Sequence, residues 1–101
     1  MDFRIEWSAL VEFQFDQTCE YLNHFWGKIA SKNFAKKVER KLASLRAFPF
    51  TCQAFEDSKG VRRCVINAHV SLYFEVHENA IILHCLFQNR MDRGRLDYLK
   101  N

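Results

Sequence analysis

The chain has 101 residues, 49% of them hydrophobic and 15% aromatic, with ten Phe, and its 27% charged residues sum to +3. That composition supports one packed core and excludes disorder except at the ends, so residues 1–101 read as a single domain. No apolar run reaches the roughly 20 residues of a membrane helix, and the acidic start at Asp2 is unlike a signal peptide, which points to a cytoplasmic protein with no membrane partner.

Asp2 to Glu6 reads as a short strand, with Phe3, Ile5 and Trp7 alternating against Arg4 and Glu6. Ser8 is placed to cap a helix that runs to about Trp26. Val11, Phe15, Thr18, Leu22 and Phe25 recur at helical spacing, widened by Leu10, Tyr21 and Trp26. Gly27 ends that helix, as a residue tolerant of positive φ should. A second helix begins near Ile29 to Ser31, with Phe34, Val38, Leu42 and Leu45 as its apolar stripe. It stops at Phe48-Pro49, because the residue before a proline disfavours helical angles. A turn this tight between two helices makes them antiparallel neighbours. From Phe50 to Lys59 the pattern is irregular, with Cys52, Ala54 and Phe55 as anchors of a loop.

Three strands follow, at Val61 to Ile66, Val70 to Val76 and Ala80 to Gln88. The breaks Asn67-Ala68-His69 and His77-Glu78-Asn79 allow only antiparallel neighbours, since a parallel pair needs a long crossover. The middle strand turns Val70, Leu72, Phe74 and Val76 one way and Ser71, Tyr73 and Glu75 the other. The last strand sets Ile81, Leu83, Cys85 and Phe87 against Ile82, His84, Leu86 and Gln88. The order β-α-α-β-β-β predicts an α+β two-layer domain: an antiparallel meander sheet with a helical hairpin on one face. The expected core joins the inward strand residues, Phe87 among them, to the two helix stripes.

Charge is unevenly placed. Up to Gly27 the chain is acidic, from Lys28 to Arg46 it is strongly basic, and Arg90, Arg93, Arg95 and Lys100 make a basic tail. Local excesses of this kind suit an acidic or polyanionic partner. Cys19, Cys52, Cys64 and Cys85 show no paired ligand spacing. They read as reduced structural residues, and neither metal nor cofactor is implied.

In this order and at this length, the pieces resemble the RelE/ParE superfamily of toxins from bacterial type II toxin–antitoxin systems. The resemblance covers nearly the whole chain. It rests on Trp7-Ser8-Ala9 after the first strand, the helical hairpin, Leu45-Arg46-Ala47-Phe48-Pro49, and Gly60 through Ile66. His69 through Val76 and an apolar strand closing on Gln88-Asn89-Arg90 complete it. It implies a growth-inhibiting protein of the plasmid-stabilisation kind, neutralised by a cognate antitoxin. RelE-like members cut messenger RNA on the ribosome; ParE-like members poison DNA gyrase. Carried over by position, Arg62 matches a basic residue of the first meander strand and Arg90 the arginine after the last strand. The arginine of RelE-like nucleases falls on Ser71, and the C-terminal tyrosine position falls near Leu96, with Tyr98 close by. These departures favour inhibition of a protein target such as gyrase. The alternatives are a metal-independent, ribosome-dependent endoribonuclease using Arg62, Arg90, His84 and Tyr98, or a member that only binds its partner.

The sheet face away from the helices is expected to carry Ser71, Tyr73, His84 and Gln88, with Arg62 and Arg90 at its margin. Arg62 and Arg63 are consecutive and face opposite ways, so only one reaches that groove; the family match favours Arg62. His84 suits acid–base work near neutral pH, and an arginine fork suits phosphate. Arg62, Arg90, Tyr73 and Ser71, together with Lys36 and Arg40 of the basic helix, are the expected partner-binding residues.

Overall fold

A computed structural model describes residues 2–55 and 59–88. The first strand, β1 (Arg4–Trp7), hands over to helix α1 (Ala9–Trp26) at Ser8. Ser8 has an extended backbone, and its hydroxyl accepts from the Val11 N–H at 3.1 Å. That satisfies one of the amides a helix start leaves without a partner. Gly27, at φ +94° and ψ 171°, is the single residue between α1 and α2 (Lys28–Ala47). This conformation is open essentially to glycine alone, so one residue reverses the chain. Phe48 leaves the helical region ahead of Pro49, which opens a 3-10 turn (Pro49–Thr51).

The sheet holds five strands in the order β1-β5-β4-β3-β2, where β2 is Gln53–Ala54, β3 Val61–Val65, β4 Val70–His77 and β5 Ala80–Gln88. The meander β3-β4-β5 is antiparallel, as its short breaks require. In the first of these turns the Asn67 side-chain oxygen accepts from the amides of His69 (2.7 Å) and Val70 (2.9 Å). The sequence reading is corrected at the two sheet edges. The strand β1 lies parallel to β5, with Arg4 opposite Ala80 and Trp7 opposite Leu83, so the sheet is mixed. The helical hairpin supplies the crossover a parallel pair needs. The segment read as an irregular loop contributes β2, antiparallel to β3.

Both helices pack on one sheet face. Val11, Phe34, Val38, Leu42 and Leu45 meet Cys64, Ile66, Val70, Leu72, Phe74, Ile81, Leu83 and Leu86 in one buried cluster. The expected stripe of α2 is buried throughout. In α1 the expected stripe fails at its end: Val11 and Thr18 are buried, while Phe25 stands out in solvent.

One further correction concerns β5. Tyr73 pairs with Cys85, and Phe74 with Leu83, so His84 is an extra residue in the ladder. Such a bulge leaves two successive residues against one partner and shifts the alternation by one. Up to His84 the expected faces hold. Beyond it they invert: Leu86 joins the core, and Cys85 and Phe87 turn to the opposite face. Because β1 ends opposite Leu83, the Leu86 N–H lies beyond the last strand pair on that edge. The Gln14 side-chain oxygen of α1 accepts it at 2.7 Å.

Leu72 is 1% exposed, opposite Cys64 on one side and Leu86 on the other. Leu72→Ala is expected to cost about 2–5 kcal/mol in urea unfolding. A loss under about 1 kcal/mol would mean that Leu72 does not face the packed interior.

Candidate functional site

With the apolar set turned toward the helices, the outer sheet face carries Arg63 and Val65 from β3, and Ser71, Tyr73 and Glu75 from β4. From β5 come Ile82 and His84 by plain alternation, and Cys85 and Phe87 through the bulge. Ser71 is fully buried there, and the Arg63 Nε–H donates to its hydroxyl at 3.3 Å. A guanidinium thus lies against the site where the sequence alone offers a serine. Tyr73 is half-buried and meets the edge of the Phe55 ring at 5.0 Å.

The register overturns one expected placement. Arg62 stands opposite Phe74, on the helix side of the sheet, and Arg63 stands opposite Tyr73, on the outer side. Arg62 donates through Nη1 to the Cys52 carbonyl at 2.7 Å, and its guanidinium lies 4.9 Å from the Phe50 ring centre. It therefore straps the 3-10 turn to β3. The apolar Cys64 and Ile66, both buried, share the parity of Arg62, so alternation along this segment places Arg62 on the core side.

His84, which plain alternation already puts on this face, sits at the bulge. Its Nε2 lies 2.5 Å from one oxygen of Glu75, and the Nε2 of His77 lies 3.2 Å from the other. The hydrogen bond from His84 is the largest influence on Glu75 and holds its carboxyl below the usual range; burial opposes this, and the charges of His84 and His77 reinforce it. Glu75 and His77 carry no local signal of this contact in the sequence, since only the hairpin pairing brings them to His84. Burial pushes the Cys85 thiol up, which keeps it protonated.

Lys36 and Arg40 are exposed on α2, four residues apart on the surface opposite the buried stripe, and Lys32 extends the row. Arg90 and Tyr98 lie outside the described residues, as does the side chain of Gln88. Among the described residues no group of three or more His, Cys, Asp or Glu is arranged to hold a metal ion, and no helix is long and apolar enough to cross a membrane.

A second surface was not anticipated. At the closed end of the hairpin Phe25, Trp26 and Ile29 are 63%, 68% and 76% exposed, with Tyr21 against Phe25 at 4.8 Å between ring centres. Beside them a cleft of about 200 Å³ opens between Leu22, Phe34 and Val70, with Tyr21 and Trp26 in its wall. The signal was present in the sequence. Tyr21, Leu22, Phe25 and Trp26 span more of the helix circumference than one face can bury.

Because the folded carboxyl of Glu75 is held low, its stabilising contribution is complete above the ordinary glutamate range of about 4.3. It is lost as the pH falls through the depressed folded value. Glu75→Gln should therefore lower the melting temperature at pH 6, with the gap to wild type closing toward pH 3. A gap that stays constant with pH would mean that the carboxylate charge contributes nothing to the fold.

Several solved structures share this fold. The chromosomal ParDE toxin–antitoxin system from P. aeruginosa superposes with a TM-score of 0.73 at 12% identity, over 85% of this chain and 95% of that one. A copper-bound mutant toxin from Helicobacter pylori gives 0.56 at 20% identity, over 86% and 94%. A conserved hypothetical protein of Helicobacter pylori, solved in solution, gives 0.51 at 20% identity, also over 86% and 94%. At these identities the likeness establishes the fold alone. No curated protein matches the chain in sequence. The family described as ParE toxin of type II toxin–antitoxin system, parDE, matches residues 5–92. With most of its length inside that match, the chain belongs to the ParE toxin family of type II toxin–antitoxin systems.

Proposed function

We propose that this protein arrests growth by binding a protein target such as DNA gyrase, in the cytoplasm, until a cognate antitoxin covers it. The observation that carries this reading is the apolar end of the helical hairpin. Phe25, Trp26 and Ile29 hold large apolar surfaces in water within a few residues of one another. A soluble chain seldom keeps such a patch unless another protein covers it. Aromatic side chains are also the usual anchors of protein interfaces. The outer sheet face supports the same reading, because its polar groups already hold partners within the face. Glu75 occupies His84, and Arg63 rests on Ser71.

The antitoxin has a matching requirement. The row Lys32, Lys36 and Arg40 offers an acidic segment a set of cations with an amphipathic helix beneath them. Such a segment is commonly disordered alone and folds as it binds.

A second reading rests on a specific observation. Arg63 and the His84–Glu75 pair share the outer face, which gives a cation and an oriented imidazole of the kind ribonuclease chemistry uses. In that reading the chain is a metal-independent endoribonuclease acting on messenger RNA at the ribosome. If it does neither, it is a partner-binding member without toxicity.

Two assays separate these. Purified protein is added to gyrase supercoiling reactions and, in parallel, to translating ribosomes with a defined message. Inhibited supercoiling with intact message is the expected result; site-specific message cleavage would establish the second reading instead. Phe25→Glu with Trp26→Glu should abolish growth arrest. It should change folding stability by less than about 1 kcal/mol, as solvated positions do. Full toxicity in that variant would remove the hairpin end from the target contact.

Binding of the antitoxin should weaken as salt rises, since charges near a surface are screened within about 10 Å at 0.1 M ionic strength. Lys36→Glu with Arg40→Glu should flatten that salt dependence and lower affinity at least tenfold at low salt. An unchanged titration would place the antitoxin elsewhere.

A further inference from the structure

The edge strand β2 fixes the relation of two cysteines that the toxin reading leaves unused. Gln53 pairs with Arg63, and Ala54 with Arg62. The Phe55 N–H donates to the Val61 carbonyl at 2.7 Å, which marks Phe55 and Val61 as a hydrogen-bonded pair. In an antiparallel ladder bonded and non-bonded pairs alternate. Counting back, Ala54 with Arg62 is non-bonded and Gln53 with Arg63 is bonded. The next pair, Cys52 with Cys64, is non-bonded. Cys52 enters β2 with an extended backbone, at φ −85° and ψ 153°, so the ladder geometry carries through it.

Non-bonded pairs bring Cα atoms to about 4.5 Å and hold facing side chains closest. That separation sits at the near edge of the range a disulfide spans, about 4.4–6.8 Å. Both side chains lie on the helix side of the sheet: Cys64 is 3% exposed, and Cys52 packs partly buried against the core. The two thiols interact directly. Burial, and then the Cys52 thiol, push the Cys64 thiol up to about 12, while Lys41 of α2 pulls it the other way. Cys85 is no competitor, because it faces the opposite side of the sheet, opposite Tyr73.

We propose that Cys52 and Cys64 are a modification site: a dithiol that a low-molecular-weight disulfide such as glutathione disulfide converts into an internal cross-strand bridge. Cys52, the more accessible of the two, reacts first. Its thiolate attacks one sulfur of glutathione disulfide, forms a mixed disulfide and expels one glutathione thiolate, which takes up a proton. Cys64 then loses its proton to solvent, attacks the Cys52 sulfur and expels the second glutathione. In sum two protein thiols are oxidised to one disulfide, and one glutathione disulfide is reduced to two thiols. The bridge staples the segment that Arg62 already holds through the Cys52 carbonyl. Cys52 stays partly accessible at the sheet edge, and accessible bridges are the readily reduced ones.

The test uses the full chain. Reduced protein is equilibrated in glutathione buffers of rising disulfide fraction, quenched in acid, denatured and alkylated. Digestion with trypsin and a glutamyl endopeptidase separates Cys64 from Cys85, and the peptides are weighed. At high disulfide fraction two thiols should escape alkylation and appear as one linked pair, Cys52 with Cys64, while Cys19 and Cys85 remain alkylated. Dithiothreitol should restore all four. Cys64→Ser should stop at a glutathione adduct on Cys52. Cys52→Ser, at the half-buried edge position, should leave the three remaining thiols alkylatable. Four alkylated thiols at every ratio, or a linkage through Cys19 or Cys85, would overturn the proposal.

Discussion

One inserted residue in the last strand governs which side chains this protein buries and which it shows. Without the bulge at His84, strict alternation would have sent Cys85 and Phe87 into the core and left Leu86 outside it. With it, Leu86 closes the inner cluster against Leu72, and Cys85 and Phe87 join His84 on the outer face. A shift of one residue inverts a whole face, so the ladder here must be held firmly. Gln14 contributes to that hold from a helix, since its side chain takes the Leu86 amide beyond the end of β1. The same helix lays Val11 on the sheet, so core packing and the strand edge are fixed by one element.

The outer face follows from the register of β3, β4 and β5 together. His84 reaches Glu75 across the β4–β5 hairpin from the same face, and His77 meets the other carboxylate oxygen. Arg63 reaches Ser71 because β3 is registered with Cys64 opposite Leu72. The result is a carboxylate held between two imidazoles beside an arginine that donates to a serine, rather than an open catalytic array. An apolar surface stands apart from it at the hairpin end, where Gly27 allows two helices to join through one residue and leaves Phe25, Trp26 and Ile29 beyond the reach of the sheet.

Much of this was legible before any coordinates. The two helices, the cap at Ser8, the stop at Pro49 and the meander all follow from periodicity and turn chemistry, which are local. The parallel docking of β1 was not legible, because nothing in Arg4–Trp7 says which edge it joins. A two-residue strand such as β2 carries no periodicity, so Gln53–Ala54 read as loop. The bulge leaves no sign in a run that is apolar on both sides of His84, from Ala80 to Phe87, where either register buries a hydrophobic residue. Arg62 is the instructive case. Its family match pointed to the groove, whereas the burial of Cys64 and Ile66 put it with the core. Parity along the strand was the stronger argument, because a strand's faces are fixed by geometry.

The measurement that tests the bulge most directly is the pattern of cross-strand proton contacts between β4 and β5 in solution by nuclear magnetic resonance. The account predicts backbone contacts between Tyr73 and Cys85 and between Phe74 and Leu83, with His84 lacking a partner of its own in the ladder. Contacts between Tyr73 and His84, continuing through Leu72 and Cys85 to Ser71 and Leu86, would mean a regular ladder. That result would return Cys85 to the core, expel Leu86 and undo the outer face described for this protein.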